Sequence, residues 1–322
     1  MNLPQVSVKI NDRMVVGDKP NSRIALREQI KYVRIHSRST RHHFTKEGSI
    51  YQMKDNLGEL TRTLLKPGYD PMLICPAPEP HISEDKNAIL FIGMNPAGGE
   101  DDAERDRTTN GFYLYYYDEY GKMSKNFTEP EQTSKRLMYK KYYKPILEFF
   151  DYVTGGKKEK IAWEWCNYNF EDLCDIIRKV NNGVSDDDLK RLERCYDKYN
   201  QSNYQIIIRD LVYYHQTTKF KDLLKSSKDA DVKHAVKECI DCYIDMFPEH
   251  KLKLIYVSTA TSCRYIEQAL KGDCTSDEFG TIIYRSIPIV FAGRALSGHG
   301  VIDNYSKRRL AGTVKAILTN KN

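Results

Sequence analysis

The chain has 322 residues, enough for one large domain with additions or for two modest ones. Forty per cent are apolar, which supports a folded core and excludes a chain disordered throughout. The 50 basic and 44 acidic residues leave a net charge of +6, compatible with a polyanionic partner.

The opening "MNLPQVSVKINDRM" lacks the apolar core of a signal peptide, and no apolar run approaches the length of a membrane span. A soluble, cytoplasmic protein without membrane association is expected, with its eight scattered cysteines reduced. Residues 1–85 read as an N-terminal extension. It holds a basic stretch, Lys31 to Lys46, and a Pro-rich connector, Cys75 to Pro80. The remainder, 86–322, reads as an α/β domain.

Four strands are predicted there. The first is Ala88–Ile92, the second Lys160–Trp165, the third Leu252–Val257 and the fourth Ile287–Phe291. Helical patterns lie between them. Tyr142, Ile146, Phe149 and Val153 share one face, and so do Val232, Val236, Cys239, Tyr243 and Phe247 before Pro248. Residues 171–230 are highly charged and read as a helical insertion, with "SDDDL" at Ser185 as a helix start. A last helix, Ser306 to Leu318, would bury Leu310, Val314 and Ile317. It carries Lys307, Arg308 and Arg309 near its start, where the helix dipole disfavours cations. Short apolar strands alternating with helices imply a parallel sheet covered on both faces.

The first strand ends in "FIGMNPAGGEDD", residues 91–102. Gly93 permits a tight turn and Pro96 fixes it; Ala97, Gly98 and Gly99 leave room for close approach to the backbone. Asn95 is the functional side chain of the turn, followed by the carboxylates Glu100, Asp101 and Asp102. In an open parallel sheet, ligands bind beyond the carboxyl ends of the strands.

A strand followed by Gly93-Met94-Asn95-Pro96-Ala97 resembles the first motif of the uracil-DNA glycosylase superfamily, whose mismatch-specific branch reads Gly-Ile-Asn-Pro-Gly. Gly293-Arg294-Ala295-Leu296-Ser297-Gly298-His299, after the fourth strand, takes the place of the second motif. It keeps the Leu-Ser and departs at the leading His/Asn-Pro-Ser. The resemblance covers roughly residues 86–170 and 235–320. It implies a three-layer α/β/α sandwich whose central four-stranded parallel sheet has the order 2-1-3-4.

The resemblance also implies an activity: a monofunctional DNA glycosylase that flips a base from single- or double-stranded DNA and hydrolyses its N-glycosidic bond. It would be a monomer without metal or cofactor. Only Cys75 lies upstream of the first motif, so no iron–sulfur cluster is expected, and the helical Cys239-Ile240-Asp241-Cys242 lacks a second pair for zinc. Asn95 would hold the attacking water, Asp101 or its acidic neighbours would support the sugar cation, and His299 or Arg294 would bind the leaving base. Gly93, Met94, Pro96 and Ala97 would form the pocket wall, with Phe112 or Tyr113 as stacking platform and Asn167 or Asn169 on the base edge. Leu296, Val301 or Ile302 would fill the gap in the stack. Ser297, Ser306, Lys307, Arg308 and Arg309 would hold phosphates. Uracil-specific relatives place tyrosine directly after the motif proline; Ala97 stands here, so a bulky 5-substituted pyrimidine, such as one in hypermodified viral DNA, has room to enter. Two alternatives are a non-catalytic nucleic-acid-binding protein of the same fold and a flavodoxin-like nucleotide-processing enzyme.

Overall fold

The segment Asn87–Gly93 is apolar on both phases of a strand, and both phases are buried. Ala88, Leu90 and Ile92 enter one core; Ile89 and Phe91 enter another. A strand buried on both faces requires cover on both. The computed structural model supplies it. It describes residues 9–10, 13–14, 57–77, 81–96, 99–109, 144–155, 161–180, 185–216, 220–276, 281–296 and 302–320.

Asn87–Gly93, strand β1, lies inside a seven-stranded mixed sheet. The other strands are β2 (Ala162–Trp163), β3 (Tyr204–Asp210), β4 (Leu252–Val257), β5 (Thr275–Ser276), β6 (Ile282–Tyr284) and β7 (Ile287–Phe291). The order is β2-β3-β1-β4-β7-β6-β5. The first five in that order run parallel, and β6 and β5 add an antiparallel edge.

The α/β class matches the sequence expectation, and the four-stranded order is corrected. β3 stands between β2 and β1, inside the segment read as a helical insertion. Its sequence, YQIIIRD, carries Gln205 and Arg209 on a buried phase, where polar residues disguise a strand. Both find hydrogen-bond partners on segments distant in sequence, as described below. The second strand is also shorter than expected, because Glu164 opens a 3₁₀ turn, Glu164–Asn167.

One sheet face packs against a helix at 57–64 (α1), Ala230–Asp245 (α7) and Ala260–Leu270 (α8). The other packs against Lys144–Thr154 (α3), Phe170–Val180 (α4), Asp186–Asn200 (α5) and Asn304–Asn320 (α9). Glu100–Thr109 forms α2, and Phe220–Leu223 is a single turn, α6. The predicted apolar faces are buried at Ile146, Phe149 and Val153 on α3, at Val232, Val236, Cys239 and Tyr243 on α7, and at Val314 and Ile317 on α9, whereas Leu310 on α9 is half-buried. Tyr142 lies outside the described residues. Among the described residues no helix is long and apolar enough to cross a membrane.

The chain divides into two compact units, Met1–Thr45 and Lys46–Asn322. Within the first, Lys9–Ile10 pairs antiparallel with Arg13–Met14. Residues 57–77, which the sequence placed in an N-terminal extension, contribute Leu57, Leu60, Leu64, Leu65, Cys75 and Ala77 to the core of the second unit.

Candidate active site

The site begins where β1 stops. Gly93 is in register with Asp210, the last residue of β3. Beyond that pair, both neighbouring strands continue as loops that bind the turn. The Gly93 carbonyl accepts from Leu211 N (3.3 Å) and the Ser262 hydroxyl (2.9 Å), and the Met94 carbonyl accepts from Val212 N (2.9 Å). On the β4 side, Ser258 donates to the Ile92 carbonyl through its N–H (3.0 Å) and its hydroxyl (3.2 Å). Pro96 is buried.

Asn95 follows in this clamped turn. Its Nδ2 donates to three backbone carbonyls: Gln216 (2.8 Å), Tyr214 (3.0 Å) and Pro96 (3.1 Å). Two N–H groups shared among three acceptors fix the plane of the amide. Its Oδ1 accepts no hydrogen bond among the described residues and is not one of their buried unpartnered atoms. The arrangement presents one acceptor oxygen of set direction at the carboxyl end of an interior strand.

The carbonyls that hold Asn95 are themselves held. The Tyr213–His215 segment bonds to the 73–75 segment through His215 N to Leu73 O (2.8 Å) and Cys75 N to Tyr213 O (3.1 Å). Tyr214 is buried between Tyr69, edge-on at 6.3 Å, and Phe220, stacked at 6.1 Å, and its hydroxyl accepts from Asp70 N (3.2 Å). Arg107 on α2 donates to the Met72 and Ile74 carbonyls (2.8 and 2.9 Å). Three segments distant in sequence thus converge on one amide.

The acidic cluster after the turn has a local explanation. Gly99 O accepts from Ala103 N (3.0 Å), so α2 starts there, and Glu100 and Asp101 lie exposed in its first turn. Carboxylates at a helix N-terminus interact favourably with the dipole. A different carboxylate, Asp210, half-buried at the end of β3 beside Gly93, belongs to the mouth by position. The sequence reading missed it because it missed β3. The same loop carries His215, buried and flanked by two of the residues that hold Asn95.

Beneath Asp210 the interior is polar. Arg209 is fully buried and meets Glu164 in a bidentate pair, at 2.7 and 2.6 Å. Glu164 also accepts from His81 N (2.9 Å). Tyr243 donates to the Asp210 carbonyl (3.1 Å), and its hydroxyl lies 3.4 Å from that of Tyr213. Burial pushes both phenols well above their ordinary range, so both stay protonated donors. At the β4 side of the mouth, burial pushes the Cys263 thiol up to about 11, which removes it as a neutral-pH nucleophile.

The structure separates some predicted residues from this site. Asn167 donates through Nδ2 to the His81 carbonyl and Gln205 Oε1, both at 2.7 Å, and its Oδ1 is buried. Gln205 pairs with Ala88, near the start of β1, whereas the mouth lies beyond Gly93. Five residues at about 3.3 Å each put the Gln205 level roughly 16 Å below it. Asn167 therefore stitches the 81–86 connector to β3 and does not stand at the mouth. Asn169 accepts from Glu171 N (2.9 Å) and caps α4.

In the second motif, Gly293 takes the left-handed conformation (φ 68°) that glycine tolerates, and Arg294 is exposed. Leu296 and Ile302 are both buried in the core, and Ile302 N donates to Ala295 O (3.1 Å). They anchor the ends of the loop and do not project as free wedges. Ser306, Lys307, Arg308 and Arg309 lie on the first turns of α9. Asp303 caps that helix, accepting from the N–H groups of Tyr305 (3.0 Å) and Ser306 (2.9 Å). This carboxylate complements the dipole that the cations oppose. Ala97, Phe112, Tyr113, Ser297, His299 and Val301 lie outside the described residues, and so does the Asp102 side chain.

No family model, curated protein or solved structure matches the chain.

Proposed function

We propose that the chain is a DNA glycosylase that releases a modified pyrimidine, with room for a bulky 5-substituent, and leaves an abasic site. The observation that carries this reading is the Asn95 amide, tied by three carbonyls, whose own oxygen accepts no hydrogen bond among the described residues. In the proposed reaction the bond between the base nitrogen and the sugar C1′ breaks, and its electron pair leaves with the base. The sugar becomes an oxocarbenium-like cation. Asn95 Oδ1 accepts a hydrogen bond from a water and aims its oxygen at C1′. That water forms the new C–O bond and releases its proton to solvent, while the departing base, which took the electron pair, gains one proton, so one water is consumed per base released. An amide is too weak a base to create hydroxide, but a cation needs only a positioned water.

The carboxylate best placed to support the cation is Asp210, at the end of the strand beside β1, rather than Asp101 in the first turn of α2. Both strand-end loops lock the turn, so the acceptor needs little reorganisation at the moment of reaction.

Oligonucleotides carrying uracil, 5-hydroxymethyl pyrimidines or glucosylated pyrimidines test the proposal. Incubation followed by alkali should yield strand breaks at the modified position for at least one of them. Binding without breaks on the whole panel would replace the proposal with a non-catalytic role. Sugar release from free nucleotides, with none from DNA, would replace it with nucleotide processing.

A further inference from the structure

A second surface of the α/β unit lies between α3 and α9, built from residues other than those that hold Asn95. It is a cleft of about 440 Å³, lined in part by Glu148, Phe149 and Tyr152 from α3 and Asn304, Lys307 and Arg308 from α9. Among the described residues three large apolar or aromatic side chains are strongly exposed: Met72, Tyr152 (61%) and Tyr305 (77%). Of these three, Tyr152 lines the cleft.

The charges are arranged with equal bias. Glu148 is paired to Lys144 at 3.6 Å, and Asp303 is engaged in capping α9. Ser306, through its hydroxyl and its N–H, holds the Asp303 carboxyl below its ordinary range, so it stays ionised in that role. Lys307, Arg308 and Arg309 have no carboxylate partner among the described residues. Among the described residues Arg309 donates to the Ser306 hydroxyl (3.2 Å). Two uncompensated cations, Lys307 and Arg308, and the exposed Tyr152 ring line one cleft, a surface for an anionic backbone carrying flat, unpaired bases. A duplex offers the same phosphates, but its bases are stacked on one another and cannot meet Tyr152.

We infer that the α3–α9 cleft binds single-stranded nucleic acid, with a base stacked on Tyr152 and the backbone phosphates on Lys307 and Arg308. The inference goes beyond the proposed base-release activity and does not depend on it.

Fluorescence anisotropy with a short labelled oligothymidine, and with the matching duplex as competitor, measures it. The single strand should bind more tightly than the duplex. Tyr152→Ala should weaken single-strand binding by roughly 5- to 100-fold, the range expected for losing one stacked base. Tyr152→Phe should stay within about twofold of the parent chain. Lys307→Ala with Arg308→Ala should lower the slope of log affinity against log salt by about 1.4, at ~0.7 per phosphate contact. Unchanged binding in Tyr152→Ala, or duplex preferred over single strand, overturns the inference. Asn95→Ala serves to separate the two proposals, since it should abolish base release and leave this binding intact. Loss of single-strand binding in Tyr152→Ala, from a chain that releases no base, would keep the cleft and discard the glycosylase.

Discussion

Two asparagine amides, at opposite ends of the same sheet, are tethered in the same way and left in opposite states. Asn95 and Asn167 both give their N–H groups to backbone or side-chain oxygens. At the amino end of β3 the Asn167 oxygen is sealed, and the amide ties a connector to a strand. At the carboxyl end of β1 the Asn95 oxygen accepts no bond among the described residues and is not sealed. Asparagine chemistry alone therefore does not mark a site. What distinguishes the two is which end of the parallel strands each occupies, and whether the acceptor remains available.

The contrast can be broken or sharpened by substitution. The largest expected effect is on stability, from the buried pair that ties the Glu164–Asn167 turn to β3. Arg209→Met should cost about 3–5 kcal/mol in chemical denaturation, because it strands the Glu164 carboxylate. Adding Glu164→Leu should recover much of that loss; a double variant no better than the single would show that the pair itself is not the cause. Next, Asp210→Asn should slow base release by roughly 10- to 100-fold in single-turnover assays, while Asp101→Asn leaves it unchanged. Equal effects would return the supporting role to the acidic turn of α2.

Asn167→Ala should cost about 1–2 kcal/mol by denaturation, since Gln205 Oε1 and the His81 carbonyl each lose a donor. The smallest effect is that of Asp303→Ala at the start of α9, a fall in melting temperature of about 2–4 °C. The native Asp303 carboxyl titrates below the ordinary value of 3.8. Its contribution is therefore present above that value and lost as pH falls through the native one. The variant and the parent should converge in melting temperature in acid; a difference that persists there would assign the loss to something other than the cap.

Much of this contrast was legible in the sequence, and part was not, for physical reasons. Apolar runs located β1, β4 and β7, because a doubly covered strand is apolar on both phases. Gly-Met-Asn-Pro marked the turn, because backbone restriction has a residue signature. β3 was missed since Gln205 and Arg209 sit on a buried phase, and their partners, Asn167, Ser83 and Glu164, lie far away in sequence. Asp210 and His215 were lost with it. The groups that fix Asn95 are main-chain carbonyls, which every residue carries, so no pattern of side chains announces them. For the same reason Asn167 was read as a site residue: both asparagines follow a strand, and only the register separates top from bottom.

The most direct test compares single-turnover base release by Asn95→Ala and Asn167→Ala, per folded molecule, on an oligonucleotide from which the parent chain releases a base. Removal of the open acceptor should lower the rate by about 100-fold or more with DNA binding retained, and removal of the sealed one should leave it within about threefold. Equal rates in the two variants, or an Asn95→Ala chain as fast as the parent, would contradict the account.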